Sequence, residues 1–316
     1  MNTVRIFDST EIKIAAKAIK EGKLVAFPTE TVYGLGANLF DEKALAAIFA
    51  VKKRPKDNPL IIHIAELDWV HQIAVDIPEE FFLLAKHFFP GPLTVVLKKH
   101  PQISPLASAG LETIGIRMPS HPYALHLLKL AEVPIAAPSA NLSGKPSPTC
   151  MEDVVEDLEG EIPYVIDGGN CDYGIESTVL DLRENFQILR PGSITKEALE
   201  EVLQKPVVYT KKTNKILCPG QKYQHYAPKA KISLFSSLTK LKDHLQKEKK
   251  QLVLCCKKEL LKEDIPHWVV SAKNLYHFYR EADRLHYEEI LILHDKALEH
   301  DHGLWNRIEL SKSFTF

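Results

Sequence analysis

Charge of one sign is the first thing this chain lacks: 40 lysines and arginines stand against 41 aspartates and glutamates, a formal net charge of −1 over 316 residues. No global field draws it to nucleic acid or anionic lipid, so any anion site must be local. Long apolar runs are missing too. No stretch approaches the ~20 residues of a membrane span, and the opening MNTVRIFDSTEIKIAAKAIKEG is amphipathic without the apolar core of a signal peptide. A cytoplasmic location is the expectation. Cysteine is sparse: Cys150, Cys171, Cys218, Cys255 and Cys256 form an odd set with no CxxC pair, which reads as buried free thiols rather than disulfides or metal ligands. There is no internal repeat, no P-loop spacing, and the GLG at 34–36 is too short for a dinucleotide fingerprint. A phosphate site here falls to side-chain cations and hydroxyls.

What is present is a globular composition, 45% hydrophobic and 26% charged, long enough for two domains. Asp8 with Glu11 marks a helix start, followed by Ile12, Ala15, Ala16 and Ile19 at helical spacing and a stop at Gly22. The strand KLVAF follows, then a helix from about Glu42 to Lys53, the strand PLIIHIA, a helix from Pro78 to about His87, strands LTVVLKK and TIGIRMP, a helix after Pro122, and the strand VPIAA. This alternation is an α/β pattern. Thr149 and Glu152 suggest a second capping box, after which IPYVIDGG, STVLDL and FQILRPGS run as strands without helices between them, so the sheet is expected to be mixed. From Tyr209 to about Lys231 the periodicity lapses into Pro, Gly and Lys, as in a linker, and KISLF, QLVLCC, HWVVSA and EEILILH beyond it suggest a small second α/β unit.

Four segments end strands in polar, turn-forming residues: PTETVYGLG, KKRPKDNPL, TIGIRMPSHP and APSANLSGKPS. Ligands of α/β sheets bind beyond the carboxyl ends of strands, so these loops can converge on one site. KKRPKDNPL admits three readings. Lys52, Lys53 and Arg54 read as a helix end, where cations suit the dipole; as a fork, stiffened by Pro55 and Pro59 and followed by Asn58, for a phosphate or carboxylate; or as a basic nuclear-localisation or RNA patch, against which the run is only three residues long before Pro55. APSANLSGKPS sets Ser139, Asn141, Ser143 and Ser147 around Gly144, which suits an oxyanion or an ordinary turn. Arg117, in an apolar strand, needs an acidic partner, either a structural carboxylate or a ligand. His63 reads more readily as a satisfied core histidine than as a ligand contact, while Ser177, Thr178 and Arg190 are uninformative singly.

Taken in order, PTETVYGLG, KKRPKDNPL, PGPLTVVL, TIGIRMP, APSANLSGKPS, STVLDL and ILRPGSIT resemble the YrdC-like domain of threonylcarbamoyl-AMP synthases across about Val4 to Gln204. CPGQKYQHYAPKA resembles the linker of the two-domain members, and LYHFYREADR with LWNRI resembles parts of their C-terminal domain, although the glycine-rich stretch before Asn306 and Arg307 is reduced to Gly303. The resemblance implies a YrdC-like twisted mixed sheet with flanking helices over 1–208, a linker or lid over 209–230, and a small Rossmann-like α/β domain over 231–316.

It also implies synthesis of threonylcarbamoyl-AMP and pyrophosphate from L-threonine, bicarbonate or CO2, and ATP with Mg2+. A downstream threonylcarbamoyl transferase would then modify tRNA, so that contact with tRNA is indirect. Carried over by motif, Lys52 and Arg54 form the catalytic Lys-x-Arg pair. Arg54, Asn58, Thr113, Ser139, Ser147, Arg190 and Tyr226 fall at nucleotide contacts, and Thr31, His63, Arg117, Ala137 and Ser177 at threonine contacts. Two rivals stand beside this reading. One is a tRNA or double-stranded RNA binding module, disfavoured by the near-zero net charge. The other is the carbamoyl-transfer role of YrdC-like domains in hydrogenase maturation proteins, whose zinc-finger cysteine pairs are missing here.

Overall fold

The computed structural model describes residues 2–183, 185–210, 218, 226–246, 248–256 and 265–315. Two sheets organise them. The larger has eleven strands in the order Val4–Ile6, Tyr164–Ile166, Val25–Phe27, Gly34–Asn38, Ile135–Ala137, Ile61–His63, Thr113–Arg117, Leu93–Lys98, Thr178–Asp181, Gln187–Arg190, Val208–Tyr209. Parallel and antiparallel pairs both occur, as the run of strands without helices predicts. The smaller sheet runs His267–Val269, Gln251–Cys255, Glu289–Leu293, Lys231–Phe235, Phe314–Thr315, every pair parallel. Together they make an α/β protein of a large mixed sheet followed by a smaller parallel one. The expected linker, 209–230, lies largely outside the described residues.

Period-two alternation builds the core on both faces of the large sheet. Val25 and Phe27 pack with Ile12, Ile19, Leu127 and Leu128 from helices Ile12–Lys20 and Pro122–Ala131, whereas Ala26 faces Leu45, Ile48 and Phe49 of helix Glu42–Lys52. The second domain packs helices Leu275–Arg284 and His302–Ser311 into a cluster that Val32 and Ile175 of the first domain also enter, so the two domains share apolar core. Among the described residues, no helix is long and apolar enough to cross a membrane.

Local chemistry departs from expectation in two places. The GLG segment is a strand, Gly34–Asn38, paired with Val25–Phe27. A Cβ at Gly36 would lie 2.7 Å from Ile135 Cγ2 and 2.9 Å from Phe27 Cε1, so the glycine serves close packing instead of a turn. The expected Thr149/Glu152 box is shifted: Cys150 is the N-cap of helix Met151–Leu158, and Asp153 accepts a hydrogen bond from the Thr149 N–H.

Candidate active site

Helix Glu42–Lys52 is capped by Asp41, whose carboxylate accepts from the N–H groups of Lys43 and Ala44. It ends at Lys53 in the left-handed region (φ 51°), which reverses the chain and turns Arg54 inward. Arg54 donates through Nε to the Asn58 carbonyl (3.2 Å) and through Nη2 to the Pro59 carbonyl (2.9 Å), so its own proline-bounded loop grips the guanidinium. Burial, only partly countered by Tyr226, lowers its pKa to about 10, leaving it cationic at neutral pH. Lys52 is almost wholly buried and donates to the carbonyls of Ser139 (2.5 Å) and Asn141. It thereby fastens the helix end to the 139–147 loop, and desolvation, with Arg54 adding to it, depresses its pKa well below the usual lysine value.

One pocket gathers these groups. Among the described residues its lining includes Lys52, Arg54, Arg117, Lys145 and Arg190 against a single carboxylate, Glu176, together with Thr31, His63, Ala137, Ser139, Asn141, Ser177 and Tyr226. This is the local cation concentration that a chain of net charge −1 needs if it is to hold an anion. Of the sequence-predicted residues, Asn58, Thr113 and Ser147 do not line it. Asn58 is buried behind Arg54, its carbonyl on the guanidinium. Ser147 is fully buried and donates to Glu176 Oε1 at 2.5 Å. Thr113 begins the strand that Arg117 ends, about 13 Å away at ~3.3 Å per residue. It borders a smaller cavity that shares Ile61 with the main one.

The parallel pairing of Ile61–His63 with Thr113–Arg117 sets His63 beside Arg117. Arg117 is held on three sides: Nε donates to the Gly91 carbonyl (3.3 Å), Nη1 to Thr31 Oγ1 (2.8 Å), and Nη2 pairs with Glu30 Oε1 at 2.8 Å. Burial raises the pKa of Glu30, but the charge and hydrogen bond of Arg117 outweigh it, leaving the carboxyl below its ordinary value. His63 packs edge-on against Phe27, and among the described residues its Nδ1 has no hydrogen-bond partner. Desolvation, then Arg117, lowers its pKa to about 3, so the ring is neutral. Ser177 accepts from Arg190 Nη2 on its hydroxyl and from Arg190 Nε on its carbonyl, both at 3.1 Å, and shares a 2.8 Å bond with Thr94.

Sequence reasoning overlooked Glu30 and Glu176, both written inside quoted or adjoining motifs. A glutamate between threonines at a strand end, and another directly before STVLDL, were the available signals. Lys145, whose Nζ meets Asp157 at 2.7 Å, was likewise passed over.

Comparison with known proteins bears on this arrangement. The family described as Telomere recombination matches residues 17–192, and the one described as Threonylcarbamoyl-AMP synthase, C-terminal domain, matches residues 194–309. Threonylcarbamoyl-AMP synthase of Pyrococcus abyssi is 52% identical over 237 residues, 73% of this chain and 70% of that protein. The Bacillus subtilis enzyme of the same name is 47% identical over 247 residues, 76% and 71% respectively. The crystal structure of P. abyssi Sua5 complexed with L-threonine superposes with a TM-score of 0.90 at 39% identity, covering 99% of this chain and all of that one. With both domains matched, the chain belongs to the threonylcarbamoyl-AMP synthase family.

Proposed function

We propose that the pocket holds ATP and L-threonine side by side, with Arg54, Arg190, Ser139 and Tyr226 toward the nucleotide and Arg117, Thr31, His63, Ser177 and the backbone of Ala137 toward threonine. The family's reaction, synthesis of threonylcarbamoyl-AMP for threonylcarbamoyladenosine in tRNA, sets the chemistry. The observation that carries the division is what holds each cation: Arg54 sits in the grip of the Asn58 and Pro59 carbonyls with Arg190 acting on it, whereas Arg117 is held by Glu30, Thr31 and Gly91. The nucleotide base reaches past Ile61 toward Thr113, and Asn58 and Ser147 act from behind, through Arg54 and Glu176.

Threonine arrives as a zwitterion. Its carboxylate pairs with Arg117, and its hydroxyl and amine meet the Thr31 and Ser177 hydroxyls and the unpartnered nitrogen of neutral His63. The deprotonated amine attacks CO2, or bicarbonate with loss of water, forming the N–C bond of a carbamate. A carbamate oxygen then attacks the α-phosphorus, and the bond to the bridging oxygen breaks as pyrophosphate leaves. No protein nucleophile takes part. Arg54 and Arg190 offset the repulsion between the two anions and meet charge developing on the leaving group, while Lys52 holds the 139–147 loop in place. Glu176, the one carboxylate of the lining among the described residues, is already taken up by Ser147, Tyr276 and Arg307. Mg2+ therefore fits as part of the MgATP substrate, carried by the phosphates rather than by protein ligands.

The test is pyrophosphate release from MgATP with L-threonine or bicarbonate omitted in turn. Release that needs both supports the reading. Its absence, alongside salt-sensitive binding of tRNA, would replace it with an RNA-binding role. Transfer of the threonylcarbamoyl group to tRNA belongs to a downstream partner in this proposal.

A further inference from the structure

We propose that Tyr276 and Arg307, both in the second domain, are positioning residues for the nucleotide half of the active site, acting through Tyr226 and Glu176. The proposal rests on the reading above that Tyr226 closes over the nucleotide. Tyr226 is buried with its backbone in the left-handed region (φ 69°), and its ring lines the pocket. That ring stacks on Tyr276, centroids 5.5 Å apart at 26°, and the guanidinium carbon of Arg307 lies 5.5 Å from its centroid. Two side chains of the second domain thus fix the plane of Tyr226 by stacking and by a cation over its face.

The same two residues reach the opposite wall. Arg307, fully buried, donates through Nε to Glu176 Oε2 at 2.7 Å, through Nη2 to the Glu176 carbonyl at 3.2 Å and through Nη1 to the Pro191 carbonyl at 2.8 Å. The Tyr276 hydroxyl donates to Glu176 Oε2 at 3.0 Å, and Ser147 occupies Oε1. Glu176 directly precedes Ser177, whose carbonyl and hydroxyl hold Arg190. Gly303 closes the approach: a Cβ there would lie 3.0 Å from the Gly192 carbonyl. A chain of buried contacts therefore runs from helices Leu275–Arg284 and His302–Ser311 to Tyr226, Ser147 and Arg190.

A tie whose only task was to join two domains has no need to end on pocket-lining groups. The desolvation cost of a buried ion pair largely offsets its attraction, which makes plain adhesion a poor account of this one. On the threonine side, the contacts of Arg117 run to Glu30, Thr31 and Gly91, all in the first domain. The Arg117 side of the site is thus held within the first domain, whereas Tyr226 and, through Glu176 and Ser177, Arg190 are tied to the second.

Calorimetric titration of the full chain with a non-hydrolysable ATP analogue, and separately with L-threonine, tests this in Tyr276→Leu, Tyr276→Phe, Arg307→Lys and Tyr226→Ala, with melting temperatures recorded alongside. Tyr276→Leu and Arg307→Lys are each expected to lose about tenfold in analogue affinity while threonine affinity stays within about twofold. Tyr276→Phe, which keeps the ring, loses less than Tyr276→Leu. Should Tyr276→Leu fail to fold, Arg307→Lys and Tyr276→Phe preserve charge and ring and carry the comparison. Equal losses for both ligands, or full analogue affinity in these variants while Tyr226→Ala loses it, would overturn the proposal and leave the lid reading standing. Full analogue affinity in Tyr226→Ala would overturn the lid reading itself and the proposal with it.

Discussion

Glu30 and Arg117 form an ion pair of 2.8 Å with both side chains at most 5% exposed, at the point where threonine's carboxylate is proposed to bind. The arginine is thus neutralised before any ligand arrives, and the zwitterionic amino acid adds no net charge to a buried site. That matters energetically, because a lone buried charge is costly whereas a paired one is tolerated.

Glu30→Gln removes the internal counter-charge and leaves Arg117 uncompensated, at a cost on the order of 3–5 kcal/mol of stability. Saturating L-threonine supplies a replacement carboxylate. The threonine-induced rise in melting temperature is therefore expected to be larger in Glu30→Gln than in the unaltered chain. An equal rise in both would mean that the carboxylate binds somewhere other than Arg117.

Arg54→Ala and Arg117→Ala are both expected to abolish product, by different routes. The first raises KM or Kd for ATP at least about tenfold with threonine binding retained, and the second does the reverse, each figure reflecting about 1.5–3 kcal/mol for hydrogen bonds to a charged group. Separate titrations with each ligand check the split, which equal losses in both variants would contradict.

Lys52 lies buried between a helix end and the carbonyls of Ser139 and Asn141. Lys52→Met keeps most of the volume and removes the donors, leaving those carbonyls unpaired at roughly 1–3 kcal/mol each. We expect a lower melting temperature together with loss of turnover. Lys52→Arg is expected not to rescue either, since the larger planar head has no room there. Recovered activity in Lys52→Arg would show that charge alone suffices.

His63 offers a pH signature. Its folded pKa of about 3 lies below its ordinary value of 6.5, so between those limits the unfolded chain binds the extra proton and stability falls as pH is lowered. Above pH 6.5 both states are neutral and the contribution is flat. Melting temperature measured from about pH 7 down to about pH 5 should therefore drop less steeply in His63→Gln than in the unaltered chain; parallel curves would remove His63 from the balance.

Much of the first domain is legible in the chain because its signals are local. The helix expected from about Glu42 to Lys53 runs Glu42–Lys52, and the four polar segments at strand ends mark the pocket before any contact is known. What sequence could not supply depends on distance. The close packing of GLG shows only once Phe27 and Ile135 are seen crowding it, and the role of Glu30 only once Arg117 is placed beside it. Asn306 and Arg307 stand out only as part of a tail pattern, since nothing local says that Arg307 ends 2.7 Å from a carboxylate 131 positions earlier. Thr113, a motif residue, borders a neighbouring cavity because it lies at the far end of the strand that Arg117 ends, a placement no local signal gives.

The pairing of His63 with Arg117 across two parallel strands has an evolutionary corollary. Side chains on a strand alternate, so inserting or deleting one residue in either strand would swing every later group to the far face and separate the pair. Substitutions at these positions are graded, whereas changes of length there are all or nothing. Length can vary in connections that carry no pocket residue, but the spacing inside Ile61–His63 and Thr113–Arg117 is frozen.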